Sequence, residues 1–354
     1  MKVHIVGAGI SGLATAQALL ARNPQAEITI FEADSRIGGK VWSEVSPEGY
    51  LCEWGVNGFL DKVPETLELC RDTGVTPLPA DDAAAKRYVF SNGELHKLPE
   101  KPPEFFTSRL LSLRGRLRVI LETVARGTDV DDETLAGFAT RRLGSEASDK
   151  LIDPMASGVF AGNAAELSLK SCFPRIHEVE AEYGSLIRGL VKLQIKAKRE
   201  GRRDKPGPGP GGKLTSFAGG MSALTDRLAE LLGDRIRTSC PVVAVDRSGG
   251  RYQTQLADGA VEECDTLVLA APAHAQARVL ADMDAELSGL LDGIPYPALA
   301  VICSGYRESQ VGSILDGFGY LVPSRENRSV LGTVVDSNVF PGRAPEGAHL
   351  LRTL

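Results

Sequence analysis

The chain opens with a strand, a glycine-rich turn and a helix in immediate succession, and few folds accommodate that order. Residues 3–6, Val-His-Ile-Val, are a short and mostly β-branched run that predicts a buried parallel strand. Gly7-Ala8-Gly9-Ile10-Ser11-Gly12 comes next in a GxGxxG spacing, and residues 13–21 continue with helix formers. Asn23-Pro24 breaks that helix, and residues 27–32, Glu-Ile-Thr-Ile-Phe-Glu, predict a second strand. Each glycine meets a different steric demand. Gly7 allows the tight turn, Gly9 lets backbone N–H groups approach a pyrophosphate, and Gly12 lets helix and strand pack closely. The helix N-terminus adds partial positive charge beside the phosphates. Glu32 stands twenty residues past Gly12, where a carboxylate accepts from ribose hydroxyls and disfavours a 2′-phosphate. The segment therefore reads as a dinucleotide-binding βαβ unit.

Composition narrows the class. At 354 residues, 43% hydrophobic and 24% charged, the chain has ordinary globular usage and room for two domains. A net charge of −6 gives no reason to expect nucleic acid as a partner. Six cysteines (Cys52, Cys70, Cys172, Cys240, Cys264, Cys303) form no CxxC pair, which argues against a disulfide framework or a metal site and suits a reducing compartment. The first glycine comes at residue 7, leaving no room for a secretory signal before it, and no apolar run reaches bilayer length. The expected location is cytoplasmic. The five histidines (His4, His96, His177, His274, His349) make no motif spacing, and none is read as a ligand or base.

The residues just past the ribose acid separate NAD from FAD. Arg36, Gly38, Gly39 and Lys40 form a second glycine turn, and residues 50–60 bring Glu53, Gly55 and Asn57 close behind. A plain NAD dehydrogenase needs no such turn here. The run resembles the flavoprotein amine oxidase superfamily, and the resemblance implies an FAD pyrophosphate and flavin site.

Further along, residues 81–191 change character, with strands about an Asn92-Gly93 turn and then helices over 105–126 and 131–143. Residues 196–213, basic and then Pro/Gly-rich, read as a mobile linker loop. Nucleotide-domain patterning returns at 214, with a helix, two strands across residues 248–250 and a buried strand within 264–274. The expected fold is α/β: a Rossmann-like FAD-binding domain (1–80 and 211–281) interleaved with an α+β substrate domain (81–210 and 282–354).

The stretches "DPMASGVFAGN", "EVEAEYGSLIRGL" and "GFGYLVP" narrow the family, the first and last being more specific than the glycine fingerprint. They resemble the protoporphyrinogen oxidase family and, equally, its bacterial relatives acting on coproporphyrinogen III. The resemblance implies FAD-dependent, oxygen-dependent conversion of a porphyrinogen to the porphyrin in haem biosynthesis. It places Gly7, Gly9, Gly12, Glu32, Arg36, Gly39 and Lys40 around the ADP half and pyrophosphate, Gly55 and Asn57 beside the flavin, and Val242 against the adenine. It places Arg87 on a substrate propionate, Gly158 over the macrocycle, and Leu321, Val334 and Leu354 in the apolar wall of its pocket. Surface placement is the other reading of Arg87, and plain core packing that of the apolar residues.

No catalytic triad is expected, because the flavin carries the redox step and dioxygen reoxidises it. Residues 105–126 hold five arginines and no acid before Glu122. They read either as a helix touching an anionic membrane surface or as one with its apolar side in the core. The implied family continues past the equivalent of Leu354 with further flavin-site chain. That keeps open a truncated, non-catalytic relative, or another amine oxidase- or desaturase-type enzyme. With that chain missing, residues 1–354 alone are expected to bind FAD only in part, to purify with little or none of it bound, and to show no porphyrinogen oxidation.

Overall fold

The β-branched run at the N-terminus does become a strand, Lys2–Val6, inside a four-stranded parallel sheet ordered Ile236–Arg237, Glu27–Phe31, Lys2–Val6, Thr266–Leu269. The computed structural model describes residues 1–99, 102–200, 212–311 and 316–354. Val3, Ile5, Ile28 and Ile30 of the sheet bury against Leu13 and Ala16 of the helix Ile10–Arg22 and against Leu224, Leu228 and Leu232 of the helix Ser222–Leu232. Burying one such large side chain contributes on the order of 1.5–3 kcal/mol. Packing therefore holds the first helix in place, since its N-cap residue, Gly9, has no side chain with which to cap it. Asn23 closes that helix through its N–H to the Leu19 carbonyl at 2.7 Å.

His4 sits in the central strand, fully buried. Its Nδ1 lies 3.0 Å from Thr254 Oγ1, tying the parallel sheet to an antiparallel meander of Val242–Ser248, Arg251–Leu256 and Val261–Cys264. Burial, helped by the Lys2 and Arg237 charges and opposed by Glu262, pushes the imidazole pKa down to about 4. The residues expected as a buried strand form Thr266–Leu269, which is an edge strand and only partly buried. Among the described residues it pairs with Lys2–Val6 alone.

The chain folds as two units, Met1–Pro79 with Leu214–Ala298 and Ala80–Lys213 with Leu299–Leu354. The first departs from the expected boundary at 281. The helix Ala285–Asp292 stays with it, because Leu291 packs on Val245, Val279 and Leu280, and Ser288 Oγ donates to the Ala277 carbonyl at 2.8 Å.

The second unit is α+β. Its sheet has six strands in the order Ile302–Arg307, Ala348–Thr353, Gly332–Val335, Gly319–Leu321, Arg87–Ser91, Glu94–Lys97. All pairings are antiparallel except that of Gly319–Leu321 with Arg87–Ser91. A helical layer has its own core of Leu135, Phe138, Ala156, Ala164 and Leu169. Buried charges tie three helices of that layer together. Arg142 Nε donates to Glu180 at 2.7 Å, and its Nη1 lies 3.5 Å from Glu122, which accepts from the N–H groups of Leu186 and Ile187 at the start of the helix Leu186–Arg199.

Two sequence expectations change here. Residues 105–126 are not one helix: Pro102–Thr107 ends, Ser112 caps a new helix Leu113–Ile120 by accepting from Gly115 N–H, and a 3-10 turn Leu121–Val124 comes after it. Leu110 and Leu111 are buried between the pieces, whereas Leu113, Leu117, Leu121 and Val124 are exposed. Residues 196–199, expected as the start of a loop, are instead the last turn of Leu186–Arg199, where Lys196, Lys198 and Arg199 favour the negative end of the helix dipole. The Pro/Gly-rich remainder of that loop, 201–211, lies outside the described residues.

Candidate functional site

The glycine turn between the first strand and first helix borders a cavity of about 1100 Å³ within the first unit. Gly7 adopts φ +107, and its N–H donates to the Phe31 carbonyl at 2.8 Å. A Cβ on Gly12 would overlap the Gly7 carbonyl oxygen, so this glycine sets how closely helix and turn approach. A Cβ on Gly9 would meet no protein atom within 4 Å, and Gly9 lines the cavity. Gly9 thus leaves open the space in which a phosphate would rest, with the start of the helix Ile10–Arg22 beside it.

Glu32, Arg36, Gly39, Lys40 and Val242 line the same cavity. Glu32 Oε2 accepts from the Ala8 N–H at 2.7 Å and Oε1 from the Asp34 N–H at 2.9 Å. The carboxylate therefore braces the glycine turn and keeps lone pairs for ribose hydroxyls. Arg36 closes the second turn, donating to the carbonyls of Ile37 at 2.8 Å, Gly39 at 2.6 Å and Val41 at 3.2 Å. Its guanidinium also stands 4.7 Å from the Trp42 ring centre. Gly38 and Gly39, at φ +95 and +59, bring that turn against Gly9, where Gly38 bridges Gly9. Gly55 and Asn57 are not among the lining residues, although their neighbours Val56 and Gly58 are. A Cβ on Gly55 would overlap the Lys40 carbonyl, which gives Gly55 a packing reason of its own. Patterning did not single out Gln276, Arg278 and Tyr296, which line the cavity from the other half of the unit and carry no local motif.

The donor set fits a dinucleotide. Open glycine turns and a helix N-terminus suit a pyrophosphate, Lys40 supplies a cation, and Glu32 suits a ribose. Apolar walls at Val6, Phe31, Val242 and Leu269 suit ring systems.

In the second unit, strand register brings the substrate candidates together. Arg87 pairs with Gly319, Gly319 with Val334, and Val334 with Arg352, so these positions form one row and share one face of the sheet. Leu321 lies on that face two residues from Gly319. Leu354 adjoins it, its N–H donating to the Gly332 carbonyl at 3.0 Å. The helix Asp153–Phe160 covers this face at Gly158, where an added Cβ would stand 2.5 Å from Leu321 Cδ2. Arg352 is buried with Asp336 at 3.1 Å. Arg87 is exposed, and its guanidinium lies 5.4 Å from the Phe318 ring centre. Among the described residues no carboxylate pairs with it. The nearby acid is held on the other face, where Asp316 pairs with Lys86 and accepts from the Tyr88 hydroxyl at 2.6 Å.

Known proteins share this architecture. The flavin containing amine oxidoreductase family matches residues 10–354. The chain is 32% identical over 366 residues to a chloroplastic protoporphyrinogen oxidase of Oryza sativa subsp. japonica, covering 98% of this chain and 68% of the rice protein. It is 28% identical to the coproporphyrinogen III oxidase of Bacillus subtilis (strain 168), covering 99% of this chain and 76% of the relative. A crystallised protein from Exiguobacterium sp. 255-15, assigned to the protoporphyrinogen oxidases, superposes with a TM-score of 0.82 at 25% identity, covering 99% of this chain and 76% of that one.

Proposed function

The chain belongs to the flavin-containing amine oxidoreductase family, its cofactor is FAD, and from that premise we propose that it oxidises a porphyrinogen to the porphyrin. The observation that carries this reading is the face holding Arg87, Leu321 and Val334 beneath Gly158. A porphyrinogen is a broad apolar macrocycle edged by carboxylates. It calls for an apolar wall with a cation at its margin, and Arg87 is a cation without an acid partner among the described residues. The names of the rice and Bacillus relatives support the same substrate class. On this reading the enzyme works in haem biosynthesis in the cytoplasm, with dioxygen as the final acceptor.

Bound FAD supplies the two-electron acceptor. The chain's own residues bind and orient. The glycine turns and the Ile10–Arg22 helix start hold the phosphates, Glu32 the adenine-side ribose, and Val242 faces the adenine. Arg87 fixes one substrate carboxylate, and the backbone at Gly158 lies over the ring, with Leu321, Val334 and Leu354 excluding water. No side chain need act as a strong base, because the pyrrole N–H protons can leave to solvent. Arg87→Ala should raise KM for the porphyrinogen about tenfold or more, the equivalent of a lost charge-assisted hydrogen bond, with FAD binding unchanged. A normal KM for both protoporphyrinogen IX and coproporphyrinogen III would return Arg87 to the surface and remove the anchor from the proposal.

The membrane reading of residues 105–126 belongs to the same proposal. Leu113, Leu117, Leu121 and Val124 are exposed beside Arg114 and Arg118. On the helix Leu186–Arg199, Ile187, Val191 and Ile195 are exposed at every fourth residue among five cations and no acid. Arg188 donates to the Thr123 carbonyl at 2.5 Å, which joins the two segments. An apolar stripe framed by cations suits an anionic bilayer surface. Co-sedimentation with phosphatidylglycerol vesicles, weakened by Val191→Glu and absent with phosphatidylcholine, is the expected result. Equal binding to both lipids, or to neither, would contradict it.

A further inference from the structure

Lys40 is held from two sides in the first unit. Its carbonyl fills the space that a Cβ on Gly55 would need, and its ammonium lies 4.8 Å from the ring centre of Tyr296. Tyr296 is itself fixed. Its hydroxyl accepts from the Ala273 N–H at 3.0 Å, at the start of the helix Ala273–Leu280, and His274 packs edge-on against its ring at 5.0 Å. Lys40 and Tyr296 both line the cavity that holds the glycine turns. Among the described residues Lys40 pairs with no carboxylate, so the ring face is what holds its ammonium. A long, flexible lysine would otherwise lose rotamer freedom on reaching a ligand.

We propose that Tyr296 is a positioning residue for cofactor binding: its ring face holds the Lys40 ammonium at the dinucleotide cavity, preset for the pyrophosphate. The sequence separates the two by more than 250 residues, and no motif links them. Chain order adds a second consequence. Tyr296 lies two residues before the chain leaves the first unit at Ala298. Loading the cavity therefore adds to the stability of residues 293–298, through which the chain passes to the second unit. The inference rests on FAD as the occupant and is independent of which substrate is oxidised.

Calorimetric titration of the purified chain with FAD tests it through a double-mutant cycle. Lys40→Met should weaken FAD binding about tenfold, the order of a lost contact to a charged group. Tyr296→Leu should weaken it about threefold to tenfold through loss of the ring contact and of preorganisation. Tyr296→Phe, which keeps the ring, should stay within about twofold of the parent, because the cation–π contact survives. In the Lys40→Met background, Tyr296→Leu should have no further effect, since the two act as one unit. Amide exchange over residues 293–298 should slow on FAD addition in the parent and not in Tyr296→Leu. Full affinity in Tyr296→Leu, an equal loss in both backgrounds, or unaltered exchange at 293–298 would overturn the proposal and leave Tyr296 a packing residue. Failure of the parent chain to bind FAD would instead contradict the cofactor assignment.

Discussion

Gly158 and Leu321 are fitted to one another: the helix Asp153–Phe160 approaches the sheet so closely that a single added carbon at Gly158 would stand 2.5 Å from Leu321 Cδ2. The approach is fixed at the start of the same helix, where Asp153 accepts from both the N–H of Ser324 at 2.8 Å and its hydroxyl at 3.0 Å. The helix is thus registered at two points, on Leu321 of the strand Gly319–Leu321 and on Ser324 three residues further along.

Gly158→Ala is expected to push Leu321 out of its rotamer and to raise the porphyrinogen KM several-fold. Overpacking of this kind costs about 1–3 kcal/mol. Because the contact is the end of a flexible side chain, Gly158→Ala combined with Leu321→Ala should recover stability and part of the affinity. Thermal melts and KM values for the two variants check this. A single mutant indistinguishable from the parent would mean that the helix sits farther from Leu321 in solution.

Glu32→Gln should weaken FAD binding about tenfold, since a neutral acceptor replaces a charged one at the ribose. Glu32→Ala should cost more, because the Ala8 N–H, now donating to Glu32 Oε2 at 2.7 Å, loses its acceptor as well. Fluorescence titration with FAD orders the three proteins. Equal dissociation constants for all three would remove Glu32 from the cofactor site.

The buried His4 gives the fold a pH dependence with a definite sign. Its folded-state pKa of about 4 lies below the ordinary imidazole value of 6.5, so the unfolded chain binds the proton more readily. Its stabilising contribution is fully present above pH 6.5 and is lost as pH falls toward 4. The whole effect is on the order of 3 kcal/mol. His4→Phe should flatten this part of the curve. Urea melts of both proteins at pH 7.5 and pH 5 measure it, and parallel curves would show that His4 is not the group responsible.

The sequence was most legible where chemistry is local. The first glycine turn, its helix and Glu32 lie within 32 residues, and each shapes the backbone next to it. The substrate wall was reached through resemblance, and only strand register shows that Arg87 and Val334, 247 positions apart in the chain, stand in one row. Residues 105–126 misled because helical periodicity carries through Ser108 to Ser112, where tertiary burial of Leu110 and Leu111 breaks the helix. The unit boundary slipped from 281 to 298 for a similar reason: the apolar side of Ala285–Asp292 has no local marker of which core it joins. Tyr296 left no trace in patterning, since its place beside Lys40 exists only in the folded unit.

The measurement that bears most directly on the proposed porphyrinogen oxidation is turnover, assayed in a form that carries the family's further flavin-site chain together with residues 1–354. The FAD-loaded protein is mixed in air with freshly reduced protoporphyrinogen IX or coproporphyrinogen III, and porphyrin fluorescence is followed above the autoxidation rate. The predicted result is FAD-dependent appearance of porphyrin from at least one of the two, slowed in Arg87→Ala. Bound FAD that is neither reduced by either porphyrinogen without oxygen nor accompanied by porphyrin in air would contradict it.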